Sequence, residues 1–526
     1  MKPFDQNGAF RPPEDAIRSL AVRGAGMTVF SNGLGLVVQT ASTIVLARLL
    51  TPADFGLVTM VTTFSLLVVN FGLNGFTEAV IQWKKIDRRL ASNLFWINVG
   101  AGALLTFGFA ASGALLAEFY REPLVARIAA GISLSILLTS VSVIHLALLK
   151  RAMRFSATAT NDIVARTLSL MVAIVFAARG WGYWALVAGA VAQPVCASIG
   201  AWFLCPWVPG LPGRVAETGS VVRFAMNVYG RFSVNYFSRN TDNLLVGWRF
   251  EARALGFYKK AYDLFSLSAS QLVAPLSNVA VSALSRLSSN SAEYRRHLLN
   301  TLAVMAFVGM GVGADLTLVG KDVIRLLLGP GWEESGRIFT FFGPGIGIML
   351  LYGTHGWIHL SIGRADRWFR WGILEFAFTV LLFILALPWG PVGIAVAWTA
   401  SFWILAIPAF WYAGKPIQLG IKPVIATVWK HIFAALLAGC ASAVILPRLP
   451  AFVAASGSFD AFARILIASV LFGALYLSVV ILLHKGCAPL DQVARLLREM
   501  IPWETRSASP RTVALSHQSE SSEAVL

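Results

Sequence analysis

The chain has 526 residues, 57% of them hydrophobic and only 13% charged, with a formal net charge of +17 and a mean hydropathy of +0.69. So little polar surface cannot solvate a globule of this length, which argues against a water-soluble protein. The basic excess is spread as one cluster per hairpin, the pattern that membrane topology and anionic headgroups demand, so a nucleic-acid interface is not indicated.

In chain order, residues 1–22 carry Lys2, Arg11 and Arg18 without a separate apolar core or small-residue cleavage site. They read as a retained cytoplasmic segment and not a signal peptide. From there about fourteen apolar stretches of roughly 20 residues fill the chain, each able to cross a hydrocarbon core ~30 Å thick. Examples are 27–47, 97–117, 167–178 continuing into 183–204, and 462–483. The fold class is therefore an all-α polytopic integral membrane protein. No connection looks longer than about 20 residues, which leaves no room for an extramembrane catalytic domain. Basic clusters mark alternate turns: Lys84, Lys85, Arg88 and Arg89; Lys150, Arg151 and Arg154; Arg286, Arg295 and Arg296; Arg364, Arg367 and Arg370. By the positive-inside rule these turns and both termini are cytoplasmic. Trp83, Trp181, Trp207 and Trp389 fall near span ends as part of an interfacial belt. Cys196, Cys205, Cys440 and Cys487 lack paired short spacing and suggest neither a disulfide framework nor a zinc site. After about 485, Leu490, Val493, Leu496, Leu497 and Met500 recur at helical spacing before a Ser-rich finish. That pattern predicts an interfacial helix followed by disorder.

An internal repeat divides the chain. The segment from Val45 to Leu57 aligns with Leu245 to Phe257 at an offset of about 200, and Trp181-Gly182 echoes Trp389-Gly390 at about 208. Thr51 is placed to cap the second span, with Pro52 at its first helical position and Asp54 three residues on. Two halves of like topology joined by short loops are how many transporters are built, one half rocking against the other. The division that follows is a cytoplasmic segment 1–22, six spans in 23–210, six in 211–418, two more in 419–485 and a cytoplasmic tail 486–526.

Four motifs carry a resemblance: Leu46-Ala-Arg-Leu-Leu-Thr-Pro-Ala-Asp-Phe-Gly56, Asn240-Thr-Asp-Asn-Leu-Leu-Val-Gly247, Ala254-Leu-Gly-Phe-Tyr-Lys-Lys-Ala-Tyr262 and Val319-Gly-Lys-Asp-Val-Ile-Arg-Leu-Leu-Leu-Gly329. The chain resembles the polysaccharide exporters and lipid-linked oligosaccharide flippases of the multidrug/oligosaccharidyl-lipid/polysaccharide superfamily over roughly residues 20–420. The resemblance implies two six-helix lobes in a V shape around a cavity lined mainly by spans 1, 2, 7 and 8. It also implies a cargo, an undecaprenyl-pyrophosphate-linked sugar repeat moved to the outer leaflet of the bacterial inner membrane for exopolysaccharide, capsule or O-antigen (lipopolysaccharide) assembly. A polysaccharide polymerase and chain-length machinery are the implied partners. No cofactor is expected, because the chain has no Walker motif and the Gly343–Gly347 and Gly309–Gly313 glycines lie in apolar spans with no strand before them.

Charge within a bilayer is costly and by default functional. Arg231, Asn235, Arg239 and Asp242 in the seventh span fall within about 80° of one helix face. Arg231 and Arg239 suit a pyrophosphate, since guanidinium grips phosphate bidentately, and Asn235 suits a sugar. Arg239 and Asp242 can instead form a local pair. Tyr229 and Tyr236 read mainly as packing. In the eighth span Lys259 and Asp263 are cavity candidates that can also pair at i, i+4, Lys259 and Lys260 can snorkel, and Pro275 offers a kink. In the second span Asn70, Asn74, Glu78 and Gln82 form a stripe, while Gln39 and Ser42 of the first span correspond to Arg239 and Asp242. Glu78 and Asp242 are the candidates for ion coupling, with Glu78 otherwise a partner of Lys84 or Lys85. Asp162 and Arg166 are spaced to pair, and His355 and His359 lack a third ligand for a metal. Two other functions compete: a cation-coupled multidrug antiporter, and an integral-membrane polysaccharide polymerase or ligase. The polymerase or ligase would need acidic or His residues in a sizeable outer loop, and none is present.

Overall fold

Capping residues and short turns cut the nearly continuous apolar sequence into long helices. The computed structural model describes residues 3–10, 17–288, 290–449, 458–487 and 490–491, and no strand occurs among them. Helix α1 spans Ile17–Leu49, and α2, Pro52–Asn70, runs through a π-helical turn at Phe71–Phe76 into α3, Thr77–Gln82. Then follow α4 (Arg88–Ala111), α5 (Gly113–Tyr120), α6 (Leu124–Arg151), α7 (Phe155–Ala178) and α8 (Tyr183–Leu204). The second half has α9 (Thr218–Arg249), α10 (Ala252–Arg286), α11 (Ser291–Leu328), α12 (Glu333–Ser361), α13 (Ala365–Ala386) and α14 (Gly390–Gly414). Two more, α15 (Ile421–Ile445) and α16 (Ser458–His484), complete the described chain. Thr51 closes a capping box on α2: its hydroxyl accepts the Asp54 amide while Asp54 accepts the Thr51 amide, with Pro52 in the first turn. Asp87 and Asn290 cap α4 and α11 by accepting the amides of Leu90 and Glu293.

Ten stretches of the described residues, from Pro52–Gln82 to Asp460–His484, are long and apolar enough to cross a membrane. Phe107, Phe203 and Leu482 stand 75%, 81% and 74% exposed on the outside of the bundle, a surface suited only to lipid. This is a multi-pass membrane protein. Helices α9 and α10 are not among the ten, because they hold the charged residues.

The packing neighbours recur along the chain. In the first half α2 and α4 pack on α6, α6 and α7 on α8, and α1 on α7. In the second half α10 and α11 pack on α12, α12 and α13 on α14, and α9 on α13. Thus α6 and α12 occupy equivalent central places, and they are the two most enclosed of the apolar stretches. Helix α12 reaches its neighbour through the glycines: a Cβ on Gly347 would meet the Gly309 carbonyl oxygen at 2.7 Å, and one on Gly313 would meet that of Gly343 at 3.0 Å. Small residues here let helix backbones touch. Helix α15 packs on α11, and α16 docks there through an ion pair, Arg464 to Asp322 at 2.6 Å, through Ser469 donating to Asp315, and through the Tyr476 hydroxyl donating to the Phe307 carbonyl.

The halves meet where α2 crosses α10. A Cβ on Gly56 would lie 1.7 Å from the Ala252 carbonyl oxygen, and one on Gly256 would lie 1.8 Å from that of Pro52. The crossing is reciprocal at the offset of the sequence repeat, and Trp332 seals it by packing on both Phe55 and Phe257.

At the opposite end, where the basic turns gather, residues 3–10 form a small hairpin. Phe4 is buried against Phe10 and Trp207, and Gly8 accepts the Arg88 amide at 2.8 Å. Arg151, expected only as a topology marker, lies 5.3 Å under the Phe10 ring. It also donates to the carbonyls of Val80, Ile81 and Trp83, three of the oxygens that the end of α3 leaves free. The described part of α1 starts at Ile17, ahead of the boundary drawn at residue 22. The Pro275 kink falls among residues whose side chains lie outside the description, and the tail helix expected through Met500 lies beyond the described residues.

The crossing makes a direct prediction. Gly56→Ala and Gly256→Ala each force backbones apart and are expected to cost about 1–3 kcal/mol or more, as overpacking does. Thermal unfolding of the purified protein in detergent checks it, and wild-type melting temperatures for both variants would refute the close approach.

Candidate functional site

Helix α9 concentrates polar residues that a lipid-facing helix cannot carry, and its structure shows where they are satisfied. Asp242 is fully buried. One carboxylate oxygen accepts from the Tyr258 hydroxyl of α10 at 2.8 Å and from the Trp398 indole N–H of α14 at 2.9 Å. Its other oxygen has no protein partner, and neither has the amide oxygen of the adjacent Asn243, also buried. Buried acceptors are tolerable only when they find a partner, so these two oxygens have capacity for a further one. The local Arg239–Asp242 pair does not form: Asp242 turns inward to α10 and α14, while Arg239 is exposed. Three residues apart, the two side chains leave the helix about 60° from each other, which suffices for that separation. Arg231 and Asn235 lie on α9, but their side chains fall outside the description.

On α10, Lys259 binds Asp263 at 2.7 Å, the i, i+4 pair that the spacing allows. Lys260 does not snorkel; it is buried, with its ammonium 4.1 Å from the centre of the Phe55 ring. A cation over an aromatic face gains about 0.5–2 kcal/mol where it is desolvated, which holds the ammonium at the α2–α10 crossing.

The α2 stripe satisfies itself along its own helix. Asn70 donates to the Leu66 carbonyl, Asn74 to the Asn70 side chain at 2.7 Å, and Gln82 to Glu78 at 2.8 Å. Glu78 therefore has Gln82 as its partner, and no ion pair with Lys84 or Lys85 occurs among the described residues. The π-helical turn at Phe71–Phe76 interrupts this stripe, and such turns gather at functional sites. Gln39 is exposed into a separate cavity of about 290 Å³, shared with Ser42, Thr43, Arg166, Ser169 and Gln193. Arg166 there pairs with Asp162 at 2.9 Å. Tyr229 and Tyr236 donate to the Leu67 and Thr63 carbonyls, fastening α9 to α2.

The structure thus brings Asp242 together with the α10 residues around Lys259, but leaves the Asn70–Glu78 ladder and Gln39 in places of their own. Sequence reasoning missed Tyr258 and Trp398 as the partners of Asp242. The available signal was a Trp in the middle of an apolar helix, whose N–H must find an acceptor when buried.

A family profile described as "Polysaccharide biosynthesis protein" matches residues 45–337. Lipopolysaccharide biosynthesis protein WzxC of Escherichia coli K12 is 22% identical over 400 residues, covering 74% of this chain and 79% of that protein. Succinoglycan biosynthesis transport protein ExoT of Rhizobium meliloti is 19% identical over 353 residues, covering 67% and 72%. Among solved structures, the lipid II flippase MurJ in an inward closed conformation is similar with a TM-score of 0.70 and 13% identity, covering 88% of this chain and 99% of that one. An inward-facing multidrug resistance transporter of the MATE family gives 0.52 and 13%, covering 72% and 94%. At these identities the solved structures speak for the fold.

Asp242→Ala leaves two buried donors unpartnered at about 1–3 kcal/mol each. It is expected to lower the melting temperature clearly, whereas Glu78→Gln stays within about 0.5 kcal/mol of wild type, as a surface change does. Equal melting temperatures for Asp242→Ala and wild type would remove Asp242 from its structural place.

Proposed function

The chain belongs to the polysaccharide biosynthesis protein family, and on that premise we propose that it is a flippase for undecaprenyl-pyrophosphate-linked oligosaccharide repeat units. It carries them across the bacterial inner membrane for exopolysaccharide, capsule or O-antigen assembly. It is a transporter and not an enzyme. The observation that carries the reading is the place of α9: this helix, with Arg231, Arg239 and Asp242 along it, packs on α2 and α3 of the first half and on α10, α13 and α14 of the second. A polar helix between two repeated halves is where a polar headgroup can cross while its lipid tail stays in the bilayer.

In this reading α1, α9 and α10 cross the membrane together with the ten apolar stretches, which include α13 and α14 as one, to give fourteen spans. Residues 23–210 and 211–418 form two six-helix lobes, the recurring packing neighbours supporting that division. The basic turns and both termini face the cytoplasm. Arg231 and Arg239 grip the pyrophosphate, Asn235 meets the sugar, and Lys259 with Asp263 and the polar groups Gln39, Asn70 and Asn74 border the route. Asp242 and Glu78 are the carboxylates for ion coupling, Asp242 the stronger because an oxygen beside it is unpartnered. For the lobes to alternate, the Gly56–Gly256 crossing must part at one end and the Tyr229 and Tyr236 bonds at the other. A polymerase and chain-length machinery are the proposed partners.

A cation-coupled drug antiporter shares the fold, but two arginines on α9 suit an anionic cargo better. A strain lacking this chain is expected to accumulate lipid-linked sugar intermediates on the inner leaflet and to lose exported polysaccharide. Wild type restores export, whereas Arg231→Ala and Arg239→Ala each restore it poorly, by roughly tenfold or more if a charged hydrogen bond of about 1.5–3 kcal/mol is lost. Normal polysaccharide with reduced resistance to cationic compounds would move the chain to the drug antiporters.

A further inference from the structure

The chain that joins the two halves, residues 205–217, leaves α8 and enters α9 without forming a helix of its own. It is strapped to α4 at the basic end. The Ser92 hydroxyl accepts the Gly210 amide at 3.0 Å, and the Trp96 indole donates to the Gly210 carbonyl at 2.9 Å. The Asn93 side chain takes both sides of Gly213, accepting its amide at 2.9 Å and donating to its carbonyl at 2.7 Å. Ser92 and Trp96 stand one to two turns past the start of α4 at Arg88. That is ~6–12 Å along the helix, the level of a boundary between headgroups and acyl chains. On the strap Val208 and Leu211 are 69% and 91% exposed, at the level of the exposed Trp96 and Ile97 of α4. So much apolar surface at one level suits lipid better than water.

Between α4 and the strap lies a groove of about 730 Å³, lined mainly by Trp96, Ile97, Pro212 and Val215, with Arg214 as the charged residue. One face of α4 forms its wall and changes character along its length. Arg89, Trp96, Ile97, Leu104 and Phe107 project within about 100° of one another, running from a cation through the interface to exposed apolar side chains. Gly100, on the same face, has nothing within 4 Å of where a Cβ would stand, which leaves a furrow. Arg89 and Arg214 are exposed, and neither has an ion pair or side-chain hydrogen bond among the described residues. The carboxylates nearest them in sequence are taken: Asp87 accepts the Leu90 amide and Glu217 accepts the Trp83 indole. Other arginines of the basic end bind protein oxygens, Arg151 at Val80, Arg295 at Gln418 and Arg367 at Tyr412.

We propose that this groove is a binding site for an anionic phospholipid, its phosphate between Arg214 and Arg89 and its chains following Trp96, Ile97 and Leu104 into the bilayer. Two unpartnered guanidiniums complement a phosphate, and the apolar furrow favours a ligand with a tail over a free anion. A lipid seated there touches both α4 and the joining segment, so it braces the first half against its link to the second. The site lies at the end opposite the Gly56–Gly256 crossing and does not depend on the transport reading.

The test uses the full-length protein, delipidated in detergent and titrated with phosphatidylglycerol, with bound lipid counted by native mass spectrometry. One phosphatidylglycerol is expected to bind roughly tenfold or more tighter than phosphatidylcholine, which has the same tails and no net charge. Arg89→Gln and Arg214→Gln are each expected to weaken that binding by roughly tenfold, as loss of a charged hydrogen bond does. Arg179→Gln, at an exposed arginine of the other end, leaves it unchanged. In wild type alone, a phosphatidylglycerol with a diazirine in its chain is expected to label α4 and residues 205–217. Equal affinity for the two phospholipids, arginine variants that bind as wild type does, or labelling confined to other segments overturns the proposal. Competition by glycerol phosphate as strong as that by phosphatidylglycerol also overturns it, leaving an anion site without a lipid. Displacement by undecaprenyl pyrophosphate at a lower concentration overturns it in favour of a berth for cargo.

Discussion

Where α2 and α10 cross, two helix backbones approach so closely that the carbonyls of Pro52 and Ala252 occupy the space a side chain would need at Gly256 and Gly56. Most of what is chemically interesting is positioned from there. Two residues beyond Gly256 comes Tyr258, whose hydroxyl holds Asp242, and two further on Lys260, whose ammonium covers Phe55. A shift of α10 by one ångström along α2 would move the donor off the buried carboxylate and leave that charge uncompensated, a cost of several kcal/mol in a dry interior. The glycine contact therefore fixes more than packing: it sets the depth at which α10 presents its polar residues to α9.

Polar groups in this bundle are satisfied at three different ranges. On α2 the solution is local, a ladder of amides and a carboxylate four residues apart, which needs no neighbour and tolerates motion of the helix as a unit. Between α11 and α16 it is an ion pair between distant segments, Asp322 and Arg464, with side chains only 20% and 11% exposed, which anchors the last helices to their neighbour. At Asp242 it is two aromatic donors from separate helices on one oxygen. The third leaves a buried acceptor unclaimed. A group held in place yet incompletely satisfied has capacity for another partner, which a fully paired salt bridge lacks.

Much of this architecture is legible in residue order because the membrane enforces it. Each apolar stretch must become a helix, and the Thr51, Pro52 and Asp54 turn announces its own capping box. The repeat offset even anticipates which residues meet at the crossing, since Gly56 and Gly256 stand at the same place in the two copies. Periodicity names the face of a helix but not the neighbour it meets. Asp242 and Trp398 are 156 positions apart, and no local pattern pairs them. The stripe on α9 looked like one surface, yet Arg239 and Asp242 turn to different surroundings because α10 and α14 press on one side only. The packing of the opening residues is hidden for a related reason. Phe4 and Phe10 look like stray aromatics in a polar leader until the ends of α3, α4 and α6 supply the surface that buries them.

That hairpin has a consequence for how the chain is made. The seat of Phe4 includes Trp207, so it is incomplete until some two hundred further residues have left the ribosome. Arg151 and the turn after α3, which also receive the hairpin, are in place well before then. The hairpin residues, made before every helix of the first half, are thus among the last of that half to find their contacts. Their docking records that every helix up to α8 has been inserted with its ends on the correct sides, because a single inverted hairpin would carry Trp207 or Arg88 to the far face and leave the two phenylalanines with nothing to close upon.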